Sequence, residues 1–314
     1  MLATGSHFRL RCNSDRWFRV ERRCSVTGQN ENPRHIAVIP NIITLCNAVC
    51  GFISLTLIAG SLVIGEVPAL DRLNQAAWFI LAGMLFDVFD GKVARATGGG
   101  TSLGAQLDSL SDLVTFGLAP AGLALALHHH AETEVDPLSR LMWVFCLAYF
   151  LGALLRLARF NSVRAEKDDE EHRAFEGMPT PGAAGVIASL VLIYFWLGEW
   201  ASWDLKLIFA EKPEALDGYL QLIPQYLPVV CFFIGYLMVS NRVSYSHVAT
   251  LMFSKGMQFD RFVSLIFGAT LVVFFAEPLM FIIFFSYAIW PLLRWVLRPL
   301  RRPKAPEPFA PEGE

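Results

Sequence analysis

Residues 76–127 read AAWFILAGMLFDVFDGKVARATGGGTSLGAQLDSLSDLVTFGLAPAGLALAL. This stretch contains two mainly apolar runs, 76–96 and 103–127, joined by the glycine-rich segment 97–102. Each run has about 20 residues or more, the length that an α-helix needs to cross about 30 Å of hydrocarbon. Because so short a connection returns the chain antiparallel, the stretch predicts a helical hairpin within a membrane.

Further apolar runs surround this hairpin, and together they predict an all-α, polytopic integral membrane helical bundle of about eight transmembrane helices. Glu277 and Pro278, between the last two runs, predict a tight hairpin. The chain of 314 residues is 54% hydrophobic and only 17% charged, whereas soluble domains are about 25% charged. The composition therefore argues against a soluble enzyme, and the net charge of −2 gives no basic field for nucleic acid. The additional runs lie at 42–64, 139–160, 179–198, 224–240, 261–276 and 278–297.

The distribution of basic residues predicts the orientation of the bundle. Of the 26 Lys and Arg residues, all but Arg72, Arg140, Lys206 and Lys212 fall on one side of the predicted membrane. Since the basic side faces the cytoplasm, both termini are expected there, and a bacterial inner membrane is the expected location.

Three regions are expected along the chain. A membrane domain at 36–297 would lie between a basic tail at 1–35 and a proline-rich tail at 298–314. The first tail is expected to be disordered or to lie on the membrane surface, and the second is expected to be disordered.

Four aspartates lie where the two runs of the hairpin meet: Asp87, Asp90, Asp108 and Asp112. One Asp at the centre of a membrane helix costs about 2.5–3.5 kcal/mol, and neighbouring carboxylates also repel one another. Each pair shares a helix face, because its spacing is i,i+3 or i,i+4, and the turn brings the two pairs opposite each other. Four oxygen ligands suit Mg²⁺ or Mn²⁺, and they could hold two ions about 3.5–4 Å apart.

The residues alone leave other uses of these acids open. The carboxylates could form structural ion pairs with Lys92 and Arg95, or they could serve a proton relay or a divalent cation transporter. Four acids exceed those two cations in charge, which favours a bound metal ion.

Small residues near the acids indicate room for a ligand. Gly91 and Ala94 follow Asp87 on the same helical stripe, and Gly104 precedes Asp108 by one turn. Small side chains at these positions would let a ligand approach the backbone. Arg95 is a fixed cation that could meet a phosphate.

Written as a pattern, residues 87–112 are D-x-x-D-G-x-x-A-R, eight residues, then G-x-x-x-D-x-x-x-D. This pattern resembles the signature of the CDP-alcohol phosphatidyltransferase family. The resemblance implies that a CDP-linked lipid binds with its pyrophosphate on the metal ions, that an alcohol attacks the lipid-side phosphorus, and that CMP leaves. It further implies a homodimer, and the orientation predicted from the basic residues places the active site on the cytoplasmic side.

The resemblance also assigns roles to individual residues. Asp87, Asp90 and Asp108 would be metal ligands, and Asp112 would help to bind metal and act as general base on the alcohol. The CDP moiety would lie at Gly91, Ala94, Arg95 and Gly104.

Segments elsewhere resemble the members of this family that use L-serine as the alcohol. Residues 40–51 fit P-N-x-x-T-x-x-N-x-x-x-G, and 111–120, 156–161, 177–181 and 238–240 are of the same type. The resemblance therefore implies transfer of the phosphatidyl group from CDP-diacylglycerol to the L-serine hydroxyl, giving phosphatidylserine and CMP. Glycerol-3-phosphate, inositol or choline are the alternative acceptors, and a divalent cation transporter is the alternative from another class.

Two further groups of residues are candidates for substrate binding. Arg156 and Arg159 could present guanidinium groups to the serine carboxylate, or they could anchor a helix end at the membrane surface. Asn161 is a third candidate for serine binding. Thr44 and Asn47 could hydrogen-bond to CDP or to a neighbouring helix.

Overall fold

The computed structural model describes residues 38–63, 69–96, 101–131, 138–165, 177–199, 214–240 and 275–297. These segments are almost entirely helical and contain no β-strand. The predicted all-α class is therefore confirmed. The helices are α1 (Val38–Ser61), α2 (Ala69–Ala96), α3 (Ser102–Asp112), α4 (Ala119–Ala131), α5 (Leu138–Ala165), α6 (Thr180–Glu199), α7 (Glu214–Val239) and α8 (Ala276–Leu297).

Six helical stretches in the described part of the chain are long and apolar enough to cross a membrane. They identify an integral membrane protein. Helix α2 has 28 residues but is not one of the six, because charged side chains such as Asp87, Asp90 and Lys92 lower its apolar character. The predicted span at 261–276 lies outside the described residues except for its last two. The six stretches are Val38–Ser61, Leu103–Ala131, Ser139–Ser162, Thr180–Gly198, Leu220–Val239 and Ala276–Trp295.

Two helix boundaries differ from the sequence prediction. Helix α8 begins at Ala276, so Glu277 and Pro278, the residues of the predicted hairpin, lie in its first turn, and the span predicted to precede them lies outside the described residues up to 274. Proline is tolerated in the first turn, since the first N–H groups of a helix have no intrahelical acceptor. Helix α7 begins at Glu214 rather than at residue 224, and it contains Pro224 and Pro228.

A histidine compensates for one of these prolines. Pro228 has no N–H group, so the Pro224 carbonyl lacks its usual donor four residues later. The Nδ1 atom of buried His128 lies 3.2 Å from that carbonyl oxygen, and a proton on Nδ1 lets it donate. The contact ties the end of α4 to α7.

A π-helical turn, Leu113–Leu118, joins α3 to α4 without a break in the helix. The hydroxyl of fully buried Tyr149 on α5 donates to the Phe116 carbonyl at 2.8 Å. Turns of this kind occur often at functional sites, and this one begins immediately after Asp112.

Helices α5 and α7 cross at two glycines. A Cβ at Gly152 would lie 2.8 Å from the Gly235 carbonyl oxygen, and a Cβ at Gly235 would lie 2.8 Å from the Tyr149 Cα. Both are backbone contacts, which no side-chain rotation can relieve. Small residues are the usual way for membrane helices to pack this closely.

Replacing Gly235 with Ala should therefore lower the apparent melting temperature of the purified protein, because the added methyl group costs about 1–3 kcal/mol of overpacking. Gly198→Ala is the matched control, since a Cβ there meets nothing within 4 Å. Thermal unfolding in detergent measures both variants. Equal melting temperatures for the two would contradict the close crossing of α5 and α7.

Candidate active site

The structure brings three of the four predicted acids together. Asp87 and Asp90 on α2 and Asp108 on α3 each offer a carboxylate oxygen, and these oxygens lie within 4.8 Å of one another. Two unit charges 4 Å apart repel by about 4 kcal/mol at an effective dielectric constant of about 20. A cation that neutralises them would remove this cost. The donor set, three carboxylate oxygens, fits a hard divalent ion such as Mg²⁺ or Mn²⁺.

Asp112 is not one of the three acids whose oxygens lie within 4.8 Å of one another. It is 8% exposed, and its Oδ1 accepts a hydrogen bond from the Asn47 Nδ2 at 3.1 Å. The sequence placed all four acids around the metal, with Asp112 both as a ligand and as the base. In the structure Asp112 interacts electrostatically with Asp87, Asp108 and Asp90, and it has a hydrogen bond of its own to Asn47.

Helix α1 donates hydrogen bonds to two of the four acids. The Thr44 hydroxyl donates to the Asp90 Oδ2 at 2.8 Å, and Asn47 lies one turn further on and donates to Asp112. Both donors are buried. Of the two uses that the sequence left open for Thr44 and Asn47, the structure shows the bond to a neighbouring helix.

Hydroxyl groups on α3 and the π-helical turn donate in turn to carbonyl oxygens of α1 and hold these elements together. The Ser111 hydroxyl donates to the Thr44 carbonyl at 3.2 Å, and the Thr115 hydroxyl donates to the Asn47 carbonyl at 3.0 Å. Gly83 on α2 provides the space for this contact, because a Cβ there would lie 2.6 Å from the Thr115 Cγ2. No motif in the sequence indicates this role of Gly83.

The small residues near the acids have different surroundings. A Cβ at Gly91 would meet nothing within 4 Å, so open space adjoins Asp90. At Gly104 a Cβ would lie 2.9 Å from the Asn41 Oδ1, so this glycine lets the Asn41 side chain of α1 pack against α3. Ala94 is half-buried, and Arg95 is exposed in the last turn of α2.

The three candidates for serine binding point to different parts of the bundle. Half-buried Arg156 donates from Nη1 to the Thr180 Oγ1 at 2.7 Å, and it interacts electrostatically with Asp112. The Asn161 Oδ1 accepts a hydrogen bond from the Ser109 hydroxyl at 3.1 Å. Arg159 is exposed.

The 177–181 segment contacts the end of α7 near Arg156, although the two segments are far apart in the sequence. The Met178 N–H donates to the Leu237 carbonyl at 3.2 Å. Gly177 has φ +103°, and a Cβ there would lie 2.7 Å from the Met238 carbonyl oxygen. This positive φ is a conformation that glycine adopts readily and other residues rarely do. The 177–181 segment is therefore docked on the end of α7, and it begins α6 at Thr180.

The family model of CDP-alcohol phosphatidyltransferases matches residues 37–210, so the chain belongs to that family. Among similar proteins is the CDP-diacylglycerol–serine O-phosphatidyltransferase of Saccharomyces cerevisiae, 35% identical over 165 residues, which cover 50% of this chain and 56% of the relative. Two further similar proteins carry the same name. The one from Bacillus subtilis is 31% identical, over 50% of this chain and 76% of the relative. The one from Methanocaldococcus jannaschii is also 31% identical, over 66% of this chain and 74% of the relative.

The chain thus spans between about half and three quarters of the length of these relatives. Among solved structures, the phosphatidylinositol phosphate synthase of Mycobacterium tuberculosis matches with a TM-score of 0.37 and 20% identity, over 63% of this chain and 85% of that chain. That likeness is too weak to support an argument about this site.

Proposed function

We propose that this chain transfers the phosphatidyl group of CDP-diacylglycerol to the hydroxyl of L-serine, giving phosphatidylserine and CMP. The observation that carries the proposal is the cluster of three carboxylate oxygens within 4.8 Å, with a separately held, buried carboxylate on the next turns of the same hairpin. Family membership gives the reaction class, and the names of the similar proteins support serine as the acceptor.

Asp87, Asp90 and Asp108 would hold the divalent ions, proposed to be two Mg²⁺ or Mn²⁺. When bound, these ions supply positive charge that neutralises the pyrophosphate and the departing CMP. Thr44 fixes one oxygen of Asp90 for this purpose. The three side chains lie on α2 and α3, and α1 is hydrogen-bonded to both helices. These contacts hold the three carboxylates in position.

Asp112 is proposed as the general base. It accepts the proton of the serine hydroxyl as the new oxygen–phosphorus bond forms and the bond from that phosphorus to the CMP phosphate oxygen breaks. Asn47 donates to the Asp112 Oδ1, which orients the carboxylate so that its second oxygen can face the acceptor. Asp112 is also proposed to assist metal binding.

The space beside Gly91 is proposed to admit the CDP moiety, with Ala94, Arg95 and Gly104 along the same end of the hairpin. Arg95 would bind phosphate as a fixed cation. Thr44 and Asn47 are proposed to reach the nucleotide as well, and Arg156, Arg159 and Asn161 to reach serine. The membrane domain at 36–297, a bacterial inner membrane, a site facing the cytoplasm and a homodimer complete the proposal.

A panel of alcohols tests the reaction. Purified protein with CDP-diacylglycerol and Mn²⁺ should release CMP with L-serine and at least about tenfold less with glycerol-3-phosphate, inositol or choline. The reason is that a site that hydrogen-bonds the serine carboxylate rejects alcohols that lack this group. Activity with another alcohol and none with serine would overturn the acceptor. Ion flux in proteoliposomes without any nucleotide requirement would favour the cation transporter.

A further inference from the structure

Serine differs from a simple alcohol by its carboxylate and ammonium groups, so its site needs a cation and hydrogen-bond donors near the base. Arg156 is half-buried on α5 and interacts electrostatically with Asp112. In the part of the chain that the structure describes, its guanidinium makes one hydrogen bond, from Nη1 to Thr180. A guanidinium has five N–H donors, so this group can also bind a carboxylate.

Tyr287 of α8 reaches the same place from another helix. Its ring packs on Gly182, where a Cβ would lie 2.8 Å from the Tyr287 Cε1. Gly182 and Thr180 both lie in the first turn of α6, so the Tyr287 ring and the hydrogen bond from Arg156 to Thr180 are at the same end of that helix. Tyr287 is half-buried and interacts electrostatically with Arg156.

We propose that Tyr287 forms, with Arg156 and Thr180, the subsite that binds the carboxylate of the amino-acid acceptor beside Asp112. The proposal rests on the proposed function. The Tyr287 hydroxyl donates to the carboxylate together with Arg156, and Thr180 is a positioning residue because it holds the guanidinium through Nη1.

The proposal assigns the two ends of serine to different groups. Two carbon atoms separate its carboxylate carbon from its hydroxyl oxygen. The carboxylate would be held at Arg156, and the hydroxyl would be directed toward Asp112, with which Arg156 interacts electrostatically. A carboxylate site at this position selects amino alcohols that carry an acid group over those that do not.

The subsite also extends the active site beyond the segment that carries the family signature. The family model ends at residue 210, whereas Tyr287 lies on α8 (Ala276–Leu297). Its neighbour one turn earlier, Phe284, packs on Gly185 of α6 in the same way. Helix α8 is thus fitted to a glycine-containing face of α6, and this packing fixes the position of the Tyr287 ring.

Tyr287→Phe tests the proposal, because it removes the hydroxyl and keeps the ring on Gly182. In the full-length protein with CDP-diacylglycerol and Mn²⁺, the KM for L-serine should rise about tenfold, as expected for one lost bond to a charged group. The KM for CDP-diacylglycerol and the kcat should change less than about twofold. The rate with ethanolamine, which lacks the carboxylate, should not fall, so the preference for serine should drop about tenfold.

Tyr194→Phe is the matched control, since it removes a hydroxyl from a half-buried tyrosine of α6 away from Arg156. It should leave every constant unchanged. Thr180→Val should raise the KM for serine in the same direction as Tyr287→Phe, while thermal stabilisation by CDP-diacylglycerol with Mn²⁺ persists.

Two outcomes would overturn the subsite and can be told apart from failure of the reaction. Normal serine turnover by the wild-type protein with an unchanged serine KM in Tyr287→Phe would overturn the subsite alone. Equal losses with serine and ethanolamine would do the same, because a carboxylate contact affects serine only. A wild-type protein that releases CMP with other alcohols and none with serine would overturn the proposed acceptor and the subsite together.

Discussion

Replacing Asp112 with Asn should lower the kcat for CMP release by about 1,000-fold, because an amide cannot take the hydroxyl proton and general bases contribute about 10²–10⁴ in rate. The fold should survive, since the new amide oxygen can still accept the hydrogen bond that the Asn47 Nδ2 donates to Asp112 Oδ1. Initial rates at saturating CDP-diacylglycerol, L-serine and Mn²⁺ measure the effect.

The same variant separates the two roles proposed for Asp112. Because Asp112 is not one of the three clustered acids, Mn²⁺ binding should weaken far less than turnover. Asp71→Asn, at an exposed position in the first turn of α2, is the matched control and should keep full activity. Retained turnover in Asp112→Asn would remove the base from the mechanism, and complete loss of Mn²⁺ binding would make Asp112 chiefly a metal ligand.

Replacing Asp87 with Asn should have two opposite effects on stability. Without metal, the variant should melt at a higher temperature than the wild type, because burial and repulsion by Asp108 and Asp90 both disfavour the Asp87 charge. With Mn²⁺, the wild type should be stabilised strongly and the variant hardly at all, since an ion that binds only the native state stabilises it by an amount that grows with the logarithm of its affinity. CMP release should fall at least about 100-fold, as metal affinity does when its ligand set is damaged.

Thermal unfolding of the purified proteins with and without Mn²⁺ checks this prediction, and Asp71→Asn again serves as control. A variant that is destabilised without metal would show that Asp87 makes a structural contact rather than a repulsive one. A variant that Mn²⁺ stabilises as much as the wild type would exclude Asp87 as a ligand.

The clustering of Asp87, Asp90 and Asp108 was predictable because it depends on local spacing. Two helical periods and a short turn determine which side chains face each other across a hairpin. The hydrogen bond between Asp112 and Asn47 was not predictable in this way. It depends on Asn47 of α1, and no spacing within the hairpin indicates which residue of a distant helix will donate to which acid.

The existence of the spans was predictable for a similar reason. An apolar run of membrane length has few alternatives to a helix, but its ends are set by contacts that hydropathy does not register. Helix α7 extends back to Glu214 through two prolines, and His128 of α4 donates to the carbonyl that one of them leaves without a partner. Tyr287 lies in no recognisable motif, because its position depends on the packing of α8 against Gly182.

The π-helical turn after Asp112 changes the angular phase of its helix. Each residue advances an α-helix by about 100°, so one extra residue in a turn rotates everything beyond it by about that angle. The stripe that carries Asp108 and Asp112 and the stripe that carries Leu123 and Leu127 in the hydrophobic core therefore need not be collinear. Deleting one residue from Leu113–Leu118 would realign the two stripes and turn either the acids away from α1 or the leucines out of the core.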